Sequence, residues 1–234
     1  MSLESKLAAT AALLQTIAAE HPDALLANSY GAEDMVLTDL IARLNLPLRS
    51  FSLDTGRLPA ETYDLMQKVA ERYPSHPVAV YFPDTAATEQ YVNLHGINGF
   101  YQSVALRQSC CAVRKLEPLK RALAGRSAWI TGLRRQQSPT RQDLADKQYD
   151  ADNKLWKFSP LLEWSEAEVW QYLKENQVPY NALHDRHYPS IGCAPCTRAI
   201  SVGEDVRAGR WWWENPETKE CGLHAKASPL QSPV

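Results

Sequence analysis

Along the first 132 residues, short apolar runs stop at polar or glycine-bearing turns and hand over to stretches of helical period. That alternation restricts what the chain can fold into more than any other feature. Ala24 to Ala27 ends at Asn28-Ser29-Tyr30-Gly31, and Met35, Leu37, Leu40, Ile41 and Leu44 follow at helical spacing. Leu48 to Leu53 ends at Asp54-Thr55-Gly56, and Pro59 through Tyr73 reads as a helix with its proline where helices tolerate one. Val78 to Phe82 precedes a polar helical stretch from Thr85 to Asn93. Leu116 to Leu123 continues a helix that stops at Gly125, and Ala128 to Ile130 ends at Thr131-Gly132. Strands alternating with helices imply right-handed crossovers, and so an α/β fold with a mainly parallel, doubly wound sheet covered on both faces. Ligands of such sheets sit beyond the carboxyl ends of the strands, where these turns lie.

Two further helices are expected. Leu3, Leu7, Leu14 and Ile17 share a face near the start, and Ser165-Glu166-Ala167-Glu168 opens a helix with a capping-box pattern, striped by Val169, Tyr172 and Leu173. From about Pro179 the regular pattern fades, and Trp211-Trp212-Trp213 precedes a polar tail. We read one α/β domain over residues 1–203 and a C-terminal extension over 204–234.

The cysteines carry the strongest chemical signal. There are five: Cys110, Cys111, Cys193, Cys196 and Cys221. A trans peptide holds the Cα atoms of neighbouring residues about 3.8 Å apart, below the disulfide range that begins at about 4.4 Å. A shared metal centre therefore explains Cys110-Cys111 with Cys193-Ala194-Pro195-Cys196 better than disulfides do. A multi-iron cluster accepts adjacent thiolates on different irons, whereas a single tetrahedral zinc, the alternative, strains that geometry. Buried inert cysteines are the plainer reading for any one of them. The fifth, Cys221, lies in Lys219-Glu220-Cys221-Gly222-Leu223-His224, where an accessible thiol beside cationic groups would favour thiolate chemistry.

Ser29-Tyr30-Gly31-Ala32-Glu33-Asp34 lies where a strand passes into a helix, so its backbone N–H groups could cradle a phosphate. It lacks the Gly-Lys-Ser/Thr ending of a Walker A loop. Cations suited to phosphate or sulfate oxygens are supplied by Gly132 to Arg141, which holds Arg134, Arg135 and Arg141, and by Arg207 and Arg210. Lys115 follows Cys111 by four positions and on a helix would share its face. A formal net charge of −2 argues against a nucleic-acid or acidic-membrane binder but not against a small anionic substrate. No run of about 18 apolar residues indicates a membrane span, and the first twenty residues resemble an amphipathic helix, not a signal peptide. A cytoplasmic location, where thiols stay reduced, is expected.

Taken together, these motifs resemble the thioredoxin-dependent adenylyl-sulfate reductases, relatives of the phosphoadenylyl-sulfate reductases. The resemblance runs from about Ala27 to His224. It is carried by Ser29 to Asp34, Leu53-Asp54-Thr55-Gly56, Cys110-Cys111-x-x-x-Lys115, Gly132 to Arg141, Cys193-x-x-Cys196 and Glu220-Cys221-Gly222-Leu223-His224. It implies an adenine nucleotide α-hydrolase-like fold, a nucleotide- and cluster-binding domain over 1–203, and a [4Fe–4S] cluster on Cys110, Cys111, Cys193 and Cys196. It implies that Cys221, on the tail over 204–234, attacks the sulfate sulfur of adenosine 5′-phosphosulfate. AMP leaves, an S-sulfocysteine forms, and reduced thioredoxin or glutaredoxin releases sulfite. By the same likeness Ser29, Leu53, Lys115, Arg141, Arg207, Arg210 and His224 would contact the substrate, with Arg134 and Arg135 as near competitors of Arg141. Ala32 and Met35 stand where the related pyrophosphatase loop has its second glycine and final serine, which counts against ATP splitting. The competing readings are a phosphoadenylyl-sulfate reductase, an ATP-dependent tRNA thiolase and a zinc-stabilised binding module. The sequence leaves the role of Glu33 and Asp34 open, and likewise assembly into a homo-oligomer.

Overall fold

The computed structural model describes residues 2–137 and 144–215. Six strands form one sheet: β1 (Leu25–Ala27), β2 (Arg49–Leu53), β3 (Val78–Tyr81), β4 (Ala128–Ile130), β5 (Lys147–Asp150) and β6 (Leu155–Phe158). Their order is β3-β2-β1-β4-β6-β5, and every neighbouring pair is parallel except β5 with β6. The mainly parallel α/β reading therefore holds.

Side chains on a strand alternate between faces, and here each face has its own core. Leu26, Ala128 and Ile130 join Leu14, Met35, Leu37, Trp164 and Tyr172 on one side. Leu25 and Trp129 join Phe51, Leu119, Leu123 and Leu155 on the other. Helix α1 (Leu3–Glu20), started by Ser2 accepting from the Ser5 N–H, brings Leu14 and Ile17 to the first face. Helix α2 (Ala32–Arg43) runs through the same core with Met35 to Leu37 fully buried. Its one buried acid in mid-helix, Asp39, accepts from the hydroxyls of Tyr73 at 2.9 Å and Tyr172 at 2.7 Å and pairs with Arg43 at 2.8 Å. A buried carboxylate needs such partners. They lock α2 to the end of α3 (Ala60–Arg72) and to α7 (Glu166–Glu175), which starts in the expected capping box with Ser165 and Glu168.

After β3, at one edge of the sheet, the chain passes through α4 (Thr85–His95) to a long helical passage and emerges in β4 on the other side of β1. The order of strands thus reverses at β1, and the crevice beyond the ends of β1 and β4 is the place where α/β sheets bind ligands. The passage consists of α5 (Val104–Cys111), a π-helical turn over Ala112–Leu116, and α6 (Glu117–Leu123). In that turn the Glu117 N–H reaches back five residues to the Ala112 carbonyl. The widening comes immediately before Pro118. Proline has no N–H, and its ring would crowd the carbonyl four residues back in a regular α-helix.

Two elements were not foreseen. Helix α5 contains arginine, glutamine, serine and both cysteines, so its apolar stripe is weak. The β5–β6 hairpin turns at Asp150, which accepts from the Asn153 N–H, and its outer strand is Lys-Gln-Tyr-Asp, poor in strand formers. No helix among the described residues is long and apolar enough to cross a membrane.

Candidate active site

The crevice at the strand ends is a wide, open cavity, lined by Ser29 after β1, Leu53 at the end of β2, and Thr131 to Arg134 after β4. Lys115 from the π-turn and Arg207 and Arg210 from the C-terminal segment complete it. Five of the seven expected substrate contacts, Ser29, Leu53, Lys115, Arg207 and Arg210, thus face one cavity. Arg141 and His224 lie outside the described residues, as does Cys221.

The turn after β1 differs in detail from a glycine cradle. Its left-handed residue is Tyr30 (φ 61°), while Gly31 has ordinary extended geometry and caps α2. A buried non-glycine residue at positive φ is uncommon and persists only where its surroundings fix it. Here Asn28 does so, accepting from the Tyr30 N–H at 2.7 Å while donating to Thr38. The Ser29 N–H and hydroxyl do not point to an open anion site. They donate to Asp34 at 2.7 and 2.6 Å.

Asp34 and Glu33 are therefore structural keystones of the crevice. Burial pushes the Asp34 carboxyl up to about 6, against the hydrogen bonds from Ser29 that hold it down and together with the nearby Glu33 charge that raises it; the Gly132 N–H is a further stabilising donor. Glu33 takes Arg134 at 2.7 Å and Gln137 at 2.9 Å, fastening the segment after β4 over the start of α2. The two segments approach so closely that a side chain at Gly132 would stand 2.8 Å from Glu33 Cβ. Arg134, one of the two competitors for the expected Arg141 role, is buried in this pairing yet lines the crevice. The other, Arg135, turns away to Glu163 at 2.6 Å.

Beside the crevice lies a second, much narrower cavity, and Cys110, Cys111, Cys193 and Cys196 all line it. Cys110 and Cys111 end α5, and Cys193 and Cys196 bracket a single 3-10 turn. That turn is braced from outside: the Ala194 N–H donates to the Arg57 carbonyl at 2.8 Å, and the Tyr101 hydroxyl to the Pro195 carbonyl at 2.6 Å. Thr55 Oγ1 lies 3.2 Å from Cys193 Sγ. Phe100, Trp211 and Trp213 pack around the thiols. Burial, then the neighbouring Cys193 and Cys111, push the Cys196 thiol up to about 12. Cys110 is raised by burial and drawn down by Arg114.

Four thiols so placed form a soft donor set, and thiolate there requires a compensating positive centre. Among the described residues no group of three or more His, Cys, Asp or Glu side chains could hold one metal ion. The chemistry of the donors fits a multi-atom iron–sulfur cluster, whose irons take one thiolate each. Arg57, Arg107, Arg114 and Lys115 line the same cavity and suit the net negative charge of a thiolate-bound cluster. Lys115 borders both cavities.

Sequence reasoning missed Arg57, Arg107 and Arg114 around the thiols, and Gly192 and His184 in the crevice; it placed Thr55 in the turn after β2 but not beside a thiol. Only Arg114, inside the Cys-Cys-x-x-Arg-Lys run, carried a local signal. Gly192 makes room for Arg210: a Cβ there would lie 2.6 Å from the guanidinium carbon. His184 is held down by burial, and its Nε2 has no hydrogen-bond partner among the described residues.

Comparison with known proteins identifies the family. Residues 23–199 match the model of the phosphoadenosine phosphosulfate reductase domain. The chain is 56% identical over 232 residues to an adenosine 5′-phosphosulfate reductase of Allochromatium vinosum, covering 99% of this chain and 90% of that protein. It is 52% identical over 222 residues to one of Burkholderia cepacia, covering 95% and 88%. The crystal structure of the phosphoadenylyl-sulfate reductase of Candida auris, a phosphate complex, superposes with a TM-score of 0.70 at 28% identity over 82% of this chain and 90% of that one. With the family model covering most of the chain and relatives this similar over nearly its whole length, the protein belongs to the phosphoadenosine phosphosulfate reductase family.

Proposed function

We propose that this chain reduces adenosine 5′-phosphosulfate to sulfite and AMP in sulfate assimilation, with Cys221 as nucleophile and a thioredoxin as reductant. One observation carries the reading. The nucleotide crevice and the four-cysteine cavity meet at Lys115, in a chain 56% identical to a protein named for this substrate.

The substrate is an anion and so is the attacking thiolate, so charge must be neutralised first. Lys115, Arg207 and Arg210 line the crevice and would hold the phosphosulfate oxygens; Arg141 and His224 are assigned the same task. Leu53 and Ser29 border the space for the adenosine. Cys221 Sγ attacks the sulfate sulfur; an S–S bond forms, the sulfur–oxygen bond to phosphate breaks, and its electron pair leaves on AMP. A reduced dithiol then attacks Cys221 Sγ. Sulfite departs with the S–S electron pair, the mixed disulfide closes to a carrier disulfide, and the enzyme thiol is regenerated. The two electrons that take sulfate to sulfite come from the dithiol.

Cys110, Cys111, Cys193 and Cys196 would hold a [4Fe–4S] cluster, which supplies a compact charged scaffold joining two distant stretches of chain beside Lys115. On this reading residues 1–203 bind nucleotide and cluster, residues 204–234 deliver the nucleophile, and the enzyme works in the cytoplasm. Mass spectrometry of protein mixed with the nucleotide and no reductant tests it. A gain of one SO₃ group at Cys221, absent from Cys221→Ser, is expected. An adduct that persists in Cys221→Ser sinks the proposal, and faster turnover on the 3′-phosphorylated nucleotide reassigns the substrate.

A further inference from the structure

Arg107 and Glu214 form the most deeply buried ion pair of the described residues, each side chain 2% exposed. Arg107 Nε donates to one carboxylate oxygen at 2.8 Å and Nη2 to the other at 2.8 Å, a two-pronged contact that fixes both groups in plane. Removing two charges from water is expensive, and such a pair is seldom kept for stability alone. Its position indicates its use. Arg107 stands on α5 one turn before Cys111, lines the cysteine cavity, and has the Cys111 side chain as a further hydrogen-bond partner. Glu214 stands in the segment from Arg210 to Asn215, the last described stretch before the residues that carry Cys221.

Further contacts of this segment lie in the same corner. The Trp211 N–H donates to the Cys196 carbonyl at 3.1 Å. The guanidiniums of Arg107 and Arg210 lie 4.8 and 4.7 Å from the centroid of the Trp211 ring. Trp213 meets Tyr101 at 4.4 Å. Cys221 follows Glu214 by seven positions, a span that reaches about 25 Å at most when extended. The point at which the segment is pinned therefore sets the volume that the nucleophile can search.

Resting on the assignment of Cys221 made above, we propose that Arg107 and Glu214 are a positioning pair. They fix the root of the C-terminal segment to the helix bearing Cys110 and Cys111, and so aim the nucleophile at the crevice. The pair touches neither substrate nor reacting atoms and acts through the tail that it anchors.

The test compares full-length, iron-loaded wild type, Glu214→Gln and Glu214→Asp. Iron content, visible absorbance, AMP affinity and the single-turnover rate of SO₃ transfer to Cys221 at saturating adenosine 5′-phosphosulfate are measured. Glu214→Gln is expected to keep its iron and bind AMP within about threefold of wild type, while transfer slows about tenfold or more. Glu214→Asp, which keeps the charge, recovers part of the rate. Tryptic cleavage after Lys219 gives a reading free of the chemistry, and is expected to quicken about tenfold in Glu214→Gln when AMP is bound. Unchanged transfer together with unchanged cleavage overturns the proposal. A parallel loss of iron, AMP affinity and rate, equal in both variants, also overturns it, since that is what a purely structural contact would give. If Glu214→Gln does not fold, Glu214→Asp is compared with wild type alone, and its transfer rate and tail cleavage are expected to shift in the same directions by a smaller factor. Failure of wild type to form an adduct overturns the role of Cys221 instead, and the cleavage rates still decide the anchor.

Discussion

At the scale of single residues, Asp34 shows how an acid can serve a site for anions. Its carboxylate collects the donors of the β1 turn, so the crevice is shaped before any ligand arrives. That shape has a pH signature. Folding raises the Asp34 pKa from 3.8 to about 6, so the native state binds this proton more tightly than the unfolded chain. The stabilisation is complete below the unfolded value and is lost as pH rises through about 6. Asp34→Asn removes the ionisation, so the melting temperature of wild type should fall relative to the variant between about pH 4 and pH 7, levelling above it. A difference independent of pH would mean that Asp34 does not titrate in this window. Glu33 and Asp34 were visible in the sequence, but their task was not. A carboxylate beside a glycine turn looks alike whether it caps a helix, repels a phosphate or ties down a loop. The cysteine pairs were legible because adjacent thiols exclude most alternatives by geometry alone. The arginines around them were not, since a surface guanidinium and a buried one are the same letter.

At the scale of elements, most strands and helices announced themselves by period and by their turns, and the capping box of α7 formed as its four residues indicated. The passage from α5 to α6 is the exception. No apolar stripe marks α5, and nothing in Ala-Val-Arg-Lys-Leu signals a π-turn except Pro118 just beyond it. Yet this turn sets the rotation between Cys110-Cys111 on one side and the Leu119 and Leu123 core contacts on the other. Deleting Val113 would tighten the π-turn towards an α-helix and turn the cysteines by about 100° against the core. On the cluster assignment proposed above, the expected outcome is a folded chain, with helical circular dichroism close to wild type, that no longer retains iron. Iron retained at the wild-type stoichiometry would show that the extra residue has no part in placing the thiols.

At the scale of the molecule, one cavity collects residues from both sides of the strand reversal, and the other gathers two cysteine pairs some eighty residues apart in the chain. The sequence indicated each pair but not how the cavities adjoin, because the cysteine cavity is lined from separate stretches around Arg57, Phe100, Arg107 to Lys115 and Cys193 to Cys196, and only Lys115 also lines the crevice. Closing a long loop by a bound centre restricts the unfolded state, much as a cross-link does. Removal of iron from loaded protein by a chelator under anaerobic conditions should therefore lower the melting temperature by several degrees, about 2 to 4 °C for each kcal/mol lost. An identical melting temperature with and without iron would mean that the cysteine corner holds itself together.

Gly192 has a consequence of another kind. The guanidinium of Arg210 rests where any other amino acid would place its first carbon. The cation that we assign to the phosphosulfate is thus aimed by a missing methyl group. A single carbon gained at this position would displace that guanidinium and leave every charge of the protein intact.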